Sequence, residues 1–248
     1  MPRLFVSREQ LSDRRLAVEG APARHLAGPL RIRPGEVIRV VDDGGEEHGV
    51  RIDRVERARV TGSVVWSRPA GGEPRLRLAV VQALVREMDE VVAGLAEVGA
   101  AEIHAVMALR SVSRPDPERT AARLRRWNEI AREAAELAHR AAVPTVQAAA
   151  GVGSALDRLP DTSRILVCMV DATVPLARIE VDPDRPAALV IGPEGGLTPA
   201  EVDLLRDAGA ETVHLGPRVL PARYAGVVAA GLLLGRSGDL DAPLSPAP

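Results

Sequence analysis

The stretch Leu189-Val190-Ile191-Gly192-Pro193-Glu194-Gly195-Gly196-Leu197-Thr198 decides the fold. An apolar run of strand length gives way to a glycine loop and then to a helix marked at both ends. Thr198 is placed to cap that helix, Pro199 suits its first turn, Glu201 completes a capping box and Gly209 stops it, which predicts a helix over residues 198–208. The next strand ends in the same way, at His214-Leu215-Gly216-Pro217-Arg218-Val219-Leu220. In open α/β sheets, ligands sit beyond the carboxyl ends of the strands. Glycines at 192, 195 and 196 allow the backbone to approach a ligand closely. Neither a Walker-type phosphate loop nor a dinucleotide fingerprint fits the spacing.

Outward from these loops, strands and helices alternate. Strands are expected at residues 76–84, 102–107, 165–170, 187–191 and 212–215. Helices are expected at 88–98, with Met88, Val91, Val92 and Leu95 on one face, at 117–142, and over the apolar stretch 222–234. This alternation predicts an α/β domain with a mostly parallel sheet covered on both faces. Residues 1–70 read instead as short strands separated by turns such as Asp42-Asp43-Gly44-Gly45, which predicts a small β-barrel. Pro69-Ala70-Gly71-Gly72-Glu73-Pro74 reads as a linker, the second domain as residues 75–236, and residues 237–248 as a disordered tail.

Composition narrows the function classes. The chain is 46% hydrophobic and 27% charged, as a globular protein with a buried core is, but only 2% aromatic. With Phe5, Trp66, Trp127 and Tyr224 as its only aromatic residues, the core must be built of Val, Leu, Ile and Ala, and an extended aromatic nucleic-acid platform is excluded. All 32 basic residues are arginine, yet the net charge is −2, so an RNA partner would need a local basic face. Cys168 is alone, which rules out an internal disulfide, and the five histidines lack metal-ligand spacing, so no metal is expected. The N-terminus MPRLFVSREQ lacks the apolar segment of a signal peptide, and no apolar run reaches the length of a membrane span. The expectation is a soluble, cytoplasmic protein with no membrane partner.

Ile191-Gly192-Pro193-Glu194-Gly195-Gly196 followed by Leu215-Gly216-Pro217-Arg218-Val219-Leu220 resembles the RsmE family of the SPOUT superfamily. So do His25-Leu26, Leu30-Arg31 and Gly35 in the first domain, and Met88-Asp89, Glu97-Val98-Gly99, Arg110-Ser111-Val112, Arg126-Trp127 and Arg132-Glu133-Ala134-Ala135-Glu136 in the second. The resemblance implies a PUA-like N-terminal barrel that binds RNA and a C-terminal trefoil-knot domain. It implies S-adenosylmethionine-dependent methylation of N3 of a uridine in small-subunit ribosomal RNA, free or in the assembled subunit, by a homodimer. The cofactor would be held by Ile191, Gly192, Pro193, Glu194, Gly195, Gly196, Leu215, Gly216, Val219 and Leu220. Arg218 would be the cation favouring an anionic uracil and Glu194 a proton acceptor. Arg3, His25, Arg31 and Arg33 would touch RNA.

The chain also departs from the family. Where the family usually continues Arg-Thr-Glu-Thr-Ala, this sequence has Pro221-Ala222-Arg223-Tyr224-Ala225, and the long helix carries Glu136-Leu137-Ala138-His139-Arg140 in place of a Gln-Ser pattern. Pro221 removes a backbone donor next to the second loop. Two further readings therefore stand beside the enzyme: a divergent paralog that binds RNA or the ribosome, or modifies another substrate, with the standard activity lost; and a purely structural dimer.

Overall fold

The computed structural model describes residues 3–111, 116–241 and 243. The chain divides into two compact units, one comprising residues 1–72 and 139–142, the other residues 73–138 and 143–248.

The first unit is a curled six-stranded sheet of β1 (Arg3–Val6), β2 (Leu11–Ser12), β3 (Arg15–Glu19), β4 (Val37–Asp42), β5 (Glu46–Val55) and β6 (Arg59–Pro69), with one helix, α1 (Ala21–Ala27). The order is β1-β4-β5-β6-β3-β2, parallel only between β1 and β4. Because β1 and β2 both remain edges, the expected barrel is a half-barrel. Register shifts at Gly49/Val50 and Ile52/Arg54 supply its curl, as β-bulges do. Its core is aliphatic throughout: Leu16, Val18, Leu26, Ile38, Val40, Val50, Ile52 and Val60.

An ion cluster is buried beside this core. Glu47, with no exposed side-chain surface, accepts from Arg3 and Arg68, and Arg39 lies 3.7 Å away. Burial alone would raise the Glu47 carboxyl, but Arg3 and Arg68 outweigh it and hold the group below its ordinary value. Arg3 also donates to the carbonyls of His139 and Arg140, which makes residues 139–142 part of this unit.

The second unit contains β7 (Leu78–Ala83), α2 (Met88–Val98), β8 (Glu102–Val106), α3 (Pro117–Leu137), β9 (Thr145–Ala149), α4 (Val152–Leu156), β10 (Arg164–Cys168), β11 (Ala187–Ile191), α5 (Pro199–Asp207), β12 (Glu211–Val213) and α6 (Ala222–Arg236). Six parallel strands run in the order β12-β10-β11-β7-β8-β9. Alternate side chains serve opposite faces, as strand geometry demands. Leu189 and Ile191 join the core under α2, α3 and α6, while Val190 joins Val81, Val106, Val167 and Leu205 on the side of α4 and α5. Asp89 at the start of α2 accepts from Arg126 and from the indole of buried Trp127, so two distant motifs of the sequence meet here.

Three local expectations change. The long helix stops at Leu137 rather than 142, because His139 turns to a positive φ of 59° and its carbonyl is taken by Arg3. Strand β9 and helices α1 and α4 carry too weak a pattern to be read from the sequence. Of the tail, Asp239–Asp241 forms a 3-10 turn, while residues 242 and 244–248 lie outside the described residues. The chain passes from β12 at the sheet edge back to α6, which packs on β7 and β11 at the centre, and Pro175 bridges His214 between the two connections. This return crossing belongs to the knotted α/β class that the resemblance implied.

Candidate active site

The first glycine loop follows β11 and the second follows β12, but the two strands are not neighbours. Strand β10 lies between them, so the loops stand about 10 Å apart at their origins, two strand spacings. The Met169–Val174 connection therefore forms the middle of the site, with Val170 78% exposed. Sequence order, which made the loops look adjacent, gave no sign of this third segment.

The first loop is fixed from both sides. Ile191 and Pro193 are buried and anchor it, whereas Glu194, Gly195 and Gly196 are exposed. Thr198 and Glu201 form the expected reciprocal cap, with Glu201 Oε2 accepting from Thr198 N at 2.8 Å. The other oxygen of Glu201 accepts from Leu109 N at 2.9 Å, and Arg110 donates to the Gly195 carbonyl at 3.0 Å. The loop after β8 thus clamps the loop after β11. Burial would raise the Glu201 carboxyl, but hydrogen bonds from Thr198 and Leu109 hold it below its ordinary value. Arg110 and Glu201 were not among the expected site residues. Their signals were the Arg110-Ser111 motif and the capping box, each legible only as local structure; Val112, the third residue of that motif, lies outside the described residues.

In the second loop, Gly216 donates its N–H to His214 Nδ1 at 3.1 Å, which requires that nitrogen unprotonated. Gly196 and Gly216 adopt φ of 70° and 99°, and the space where a Cβ would stand is open at both. Such positions leave backbone exposed in a concave loop, a cradle suited to a ligand held by main-chain groups. Leu215 and Leu220 are half-buried and Val219 is exposed. Pro221 costs the next helix nothing: it is the N-cap of α6, and its carbonyl accepts from Tyr224 N and Ala225 N.

The chemistry available is cationic and carboxylate. Arg218 and Glu194 are exposed, and neither makes an ion pair among the described residues. Gln82, at the end of β7 and opposite Ile191, is fully buried with no partner for its Oε1 among the described residues. Burial pushes the Cys168 thiol up to about 12, so no thiolate stands beside the loops to compete for an electrophile.

The residues expected to touch RNA separate into two groups. His25, Arg31 and Arg33 are exposed on the first unit, next to exposed Arg24, with no side-chain ion pair among the described residues. Arg3 is a correction. It is buried, and its guanidinium is committed to Glu47 and two backbone carbonyls, so it has no charge to offer a phosphate.

Comparison with known proteins agrees with this geometry. Residues 72–234 match the model of the RNA methyltransferase domain. The chain is 35% identical over 222 residues to the ribosomal RNA small subunit methyltransferase E of Mycobacterium bovis, covering 86% of this chain and 84% of that protein. It is 26% identical to the protein of the same name from Bacillus subtilis, covering 89% and 91%. Among solved structures, the ribosomal RNA small subunit methyltransferase E of Neisseria gonorrhoeae bound to S-adenosyl methionine superposes with a TM-score of 0.82 at 30% identity, over 93% of this chain and 95% of that one. The chain belongs to the RNA methyltransferase family that contains the ribosomal RNA small subunit methyltransferases E.

Proposed function

We propose that this protein transfers the methyl group of S-adenosylmethionine to N3 of a uridine in small-subunit ribosomal RNA. The observation that carries the reading is the pair of open glycine loops at the ends of β11 and β12, with an exposed arginine and an exposed carboxylate that make no ion pair among the described residues. Backbone of residues 191–196 and of 215, 216, 219 and 220 would hold the cofactor. When bound, it supplies a methyl group made electrophilic by a positively charged sulfur.

The chain's own residues answer the remaining problem, which is that neutral N3 of uracil is a poor nucleophile and must lose its proton. Arg218 favours the anionic base by its charge, and Glu194 is the carboxylate available to take the proton. As the N3–carbon bond forms, the sulfur–carbon bond breaks and the sulfur leaves as a neutral thioether. Arg24, His25, Arg31 and Arg33 give the first unit a basic surface for RNA backbone. Exposed Val170, Val174 and Val228 support a homodimer, and a ribosomal RNA substrate would be met in the cytoplasm.

The test is incubation of unmodified small subunits with the protein and labelled S-adenosylmethionine, followed by nucleoside mass spectrometry. N3-methyluridine is the expected product. Binding of S-adenosylhomocysteine without methyl transfer would favour the non-catalytic RNA-binding paralog instead.

A further inference from the structure

The second glycine loop starts at His214, and the backbone of that residue is tied on both sides. Its N–H donates to the Val174 carbonyl at 2.9 Å, and its own carbonyl accepts from Leu176 N at 3.0 Å. With the parallel bridge to Pro175, these bonds carry β12 one residue beyond Val213, alongside the connection that follows β10. The place of residue 214 is therefore fixed whatever side chain it bears. The half-buried imidazole serves something else: its Nδ1 accepts from Gly216 N at 3.1 Å, two residues along the chain.

This bond is the ring-nitrogen counterpart of the turn that Asn and Asp make with a side-chain oxygen, whose acceptor stands the same number of bonds from Cα. It closes around Leu215 and brings the chain to Gly216 at a φ of 99°. Gly216 is exposed and nothing stands where its Cβ would be, so packing does not hold it in that left-handed form. Among the described residues, the imidazole is the one group that accepts from its N–H. The bond depends on charge. A neutral ring accepts at Nδ1 and carries its proton on Nε2, whereas an imidazolium donates from both nitrogens and has no lone pair for Gly216. The titratable groups on the segments packed against His214 are Cys168 on β10, Asp171 in the connection, Arg178 in the 3-10 turn after Pro175, Glu211 on β12 and Arg218 in the loop. None of them bonds to the imidazole or to the Gly216 N–H among the described residues, and Glu211 is taken by Arg164, so none replaces the acceptor once it is lost.

We propose that His214 is a positioning residue of the methyl-donor site: its neutral imidazole holds the second glycine loop in the left-handed form that leaves backbone open to the cofactor, and a proton taken up on Nδ1 releases it. This rests on the reading of that loop as half of the cofactor cradle. The step moves one proton from solvent to the ring and breaks one hydrogen bond; no covalent bond changes. Cofactor affinity and protonation of His214 are then linked, and by reciprocity the bound cofactor favours the neutral ring.

The experiment titrates the full-length protein with S-adenosylhomocysteine in a calorimeter, using wild type, His214→Asn, His214→Ala and Gly216→Ala. It runs between about pH 8 and about pH 5.5, the range in which imidazoles take up a proton, with a melting curve at each step to show that every variant is folded. Asparagine keeps an acceptor for Gly216 that does not titrate in this range, and alanine keeps none. At the alkaline end, His214→Asn should match wild type and His214→Ala should bind about fivefold more weakly, the worth of one hydrogen bond. At the acidic end, wild type should fall to the level of His214→Ala, while His214→Asn binds about fivefold more tightly than either. Comparing variants at each pH cancels the titration of every other group. The inference is overturned if wild type and His214→Asn keep the same ratio throughout, or if His214→Ala equals wild type at the alkaline end while Gly216→Ala is weakened. Failure of the underlying reading looks different: wild type then binds no S-adenosylhomocysteine at any pH, or binds it with an affinity that neither His214→Ala nor Gly216→Ala alters, and the inference falls with it.

Discussion

Glu201 and Leu109 are joined by a 2.9 Å hydrogen bond from the Leu109 N–H to the carboxylate, across 92 residues of sequence. The same carboxylate closes the cap of α5. One side chain therefore both starts the helix after the first glycine loop and ties that loop to the end of β8. Glu201→Ala should cost about 1–3 kcal/mol of stability, from the lost cap and an orphaned N–H. Because the loop loses its clamp as well, S-adenosylhomocysteine affinity should fall while a surface control such as Glu129→Ala leaves it unchanged. Chemical denaturation and calorimetric titration read the two effects.

Glu47 is the strongest test of the first unit. Removing one partner of a buried ion pair leaves uncompensated charge, so Glu47→Gln should destabilise this unit by about 3–5 kcal/mol, with Arg3, Arg39 and Arg68 left facing one another. Hydrogen exchange of β1 and β4 amides would report it, and unchanged protection would contradict the account.

The pH dependence follows from the same groups. Glu47 and Glu201 both have folded-state values held below the ordinary 4.5. Their stabilising contributions are therefore present above the unfolded value and are lost as pH falls through the folded value. Melting temperature should decline on acidification below about pH 4.5, and the decline should be shallower in Glu47→Gln and Glu201→Gln, each of which removes one of these titrations.

Gly226 sets two effects against each other. Alanine in a helix interior gains about 1 kcal/mol over glycine, whereas overpacking costs about 1–3 kcal/mol. The added Cβ would stand 2.6 Å from Gln82 Oε1, whose fully buried amide has little room to retreat, so Gly226→Ala should be net destabilising. Combining it with Gln82→Ala should recover stability relative to the sum of the two single changes, a coupling that a double-mutant cycle measures.

Gly216 should matter to ligand binding more than to folding. Its φ of 99° strains any L residue, yet the space at its Cβ is open. Gly216→Ala should leave the second unit folded and lower S-adenosylhomocysteine affinity by about tenfold, roughly the 1–2 kcal/mol of a left-handed backbone. Calorimetry with the melting curve as a control separates the two.

The sequence by itself determined the strand–loop–helix unit at 187–209, the alternating α/β layout and the family. Glycine placement, Pro199, the capping box and the period-2 strands act over a few residues and need no tertiary partner. The strand order was decided only in three dimensions, because pairing joins strands far apart in the chain, and it inserts β10 between the two glycine loops. The end of α3 and the burial of Arg3 were likewise decided there: Arg3 reaches the carbonyls of His139 and Arg140, 136 and 137 residues away, and the carboxylate of Glu47. The clamp from Arg110 to Gly195, 85 residues apart, was hidden for the same reason. Local propensities are written in neighbouring residues, whereas a charge becomes a surface contact or a buried tie only when the fold brings its partner to it.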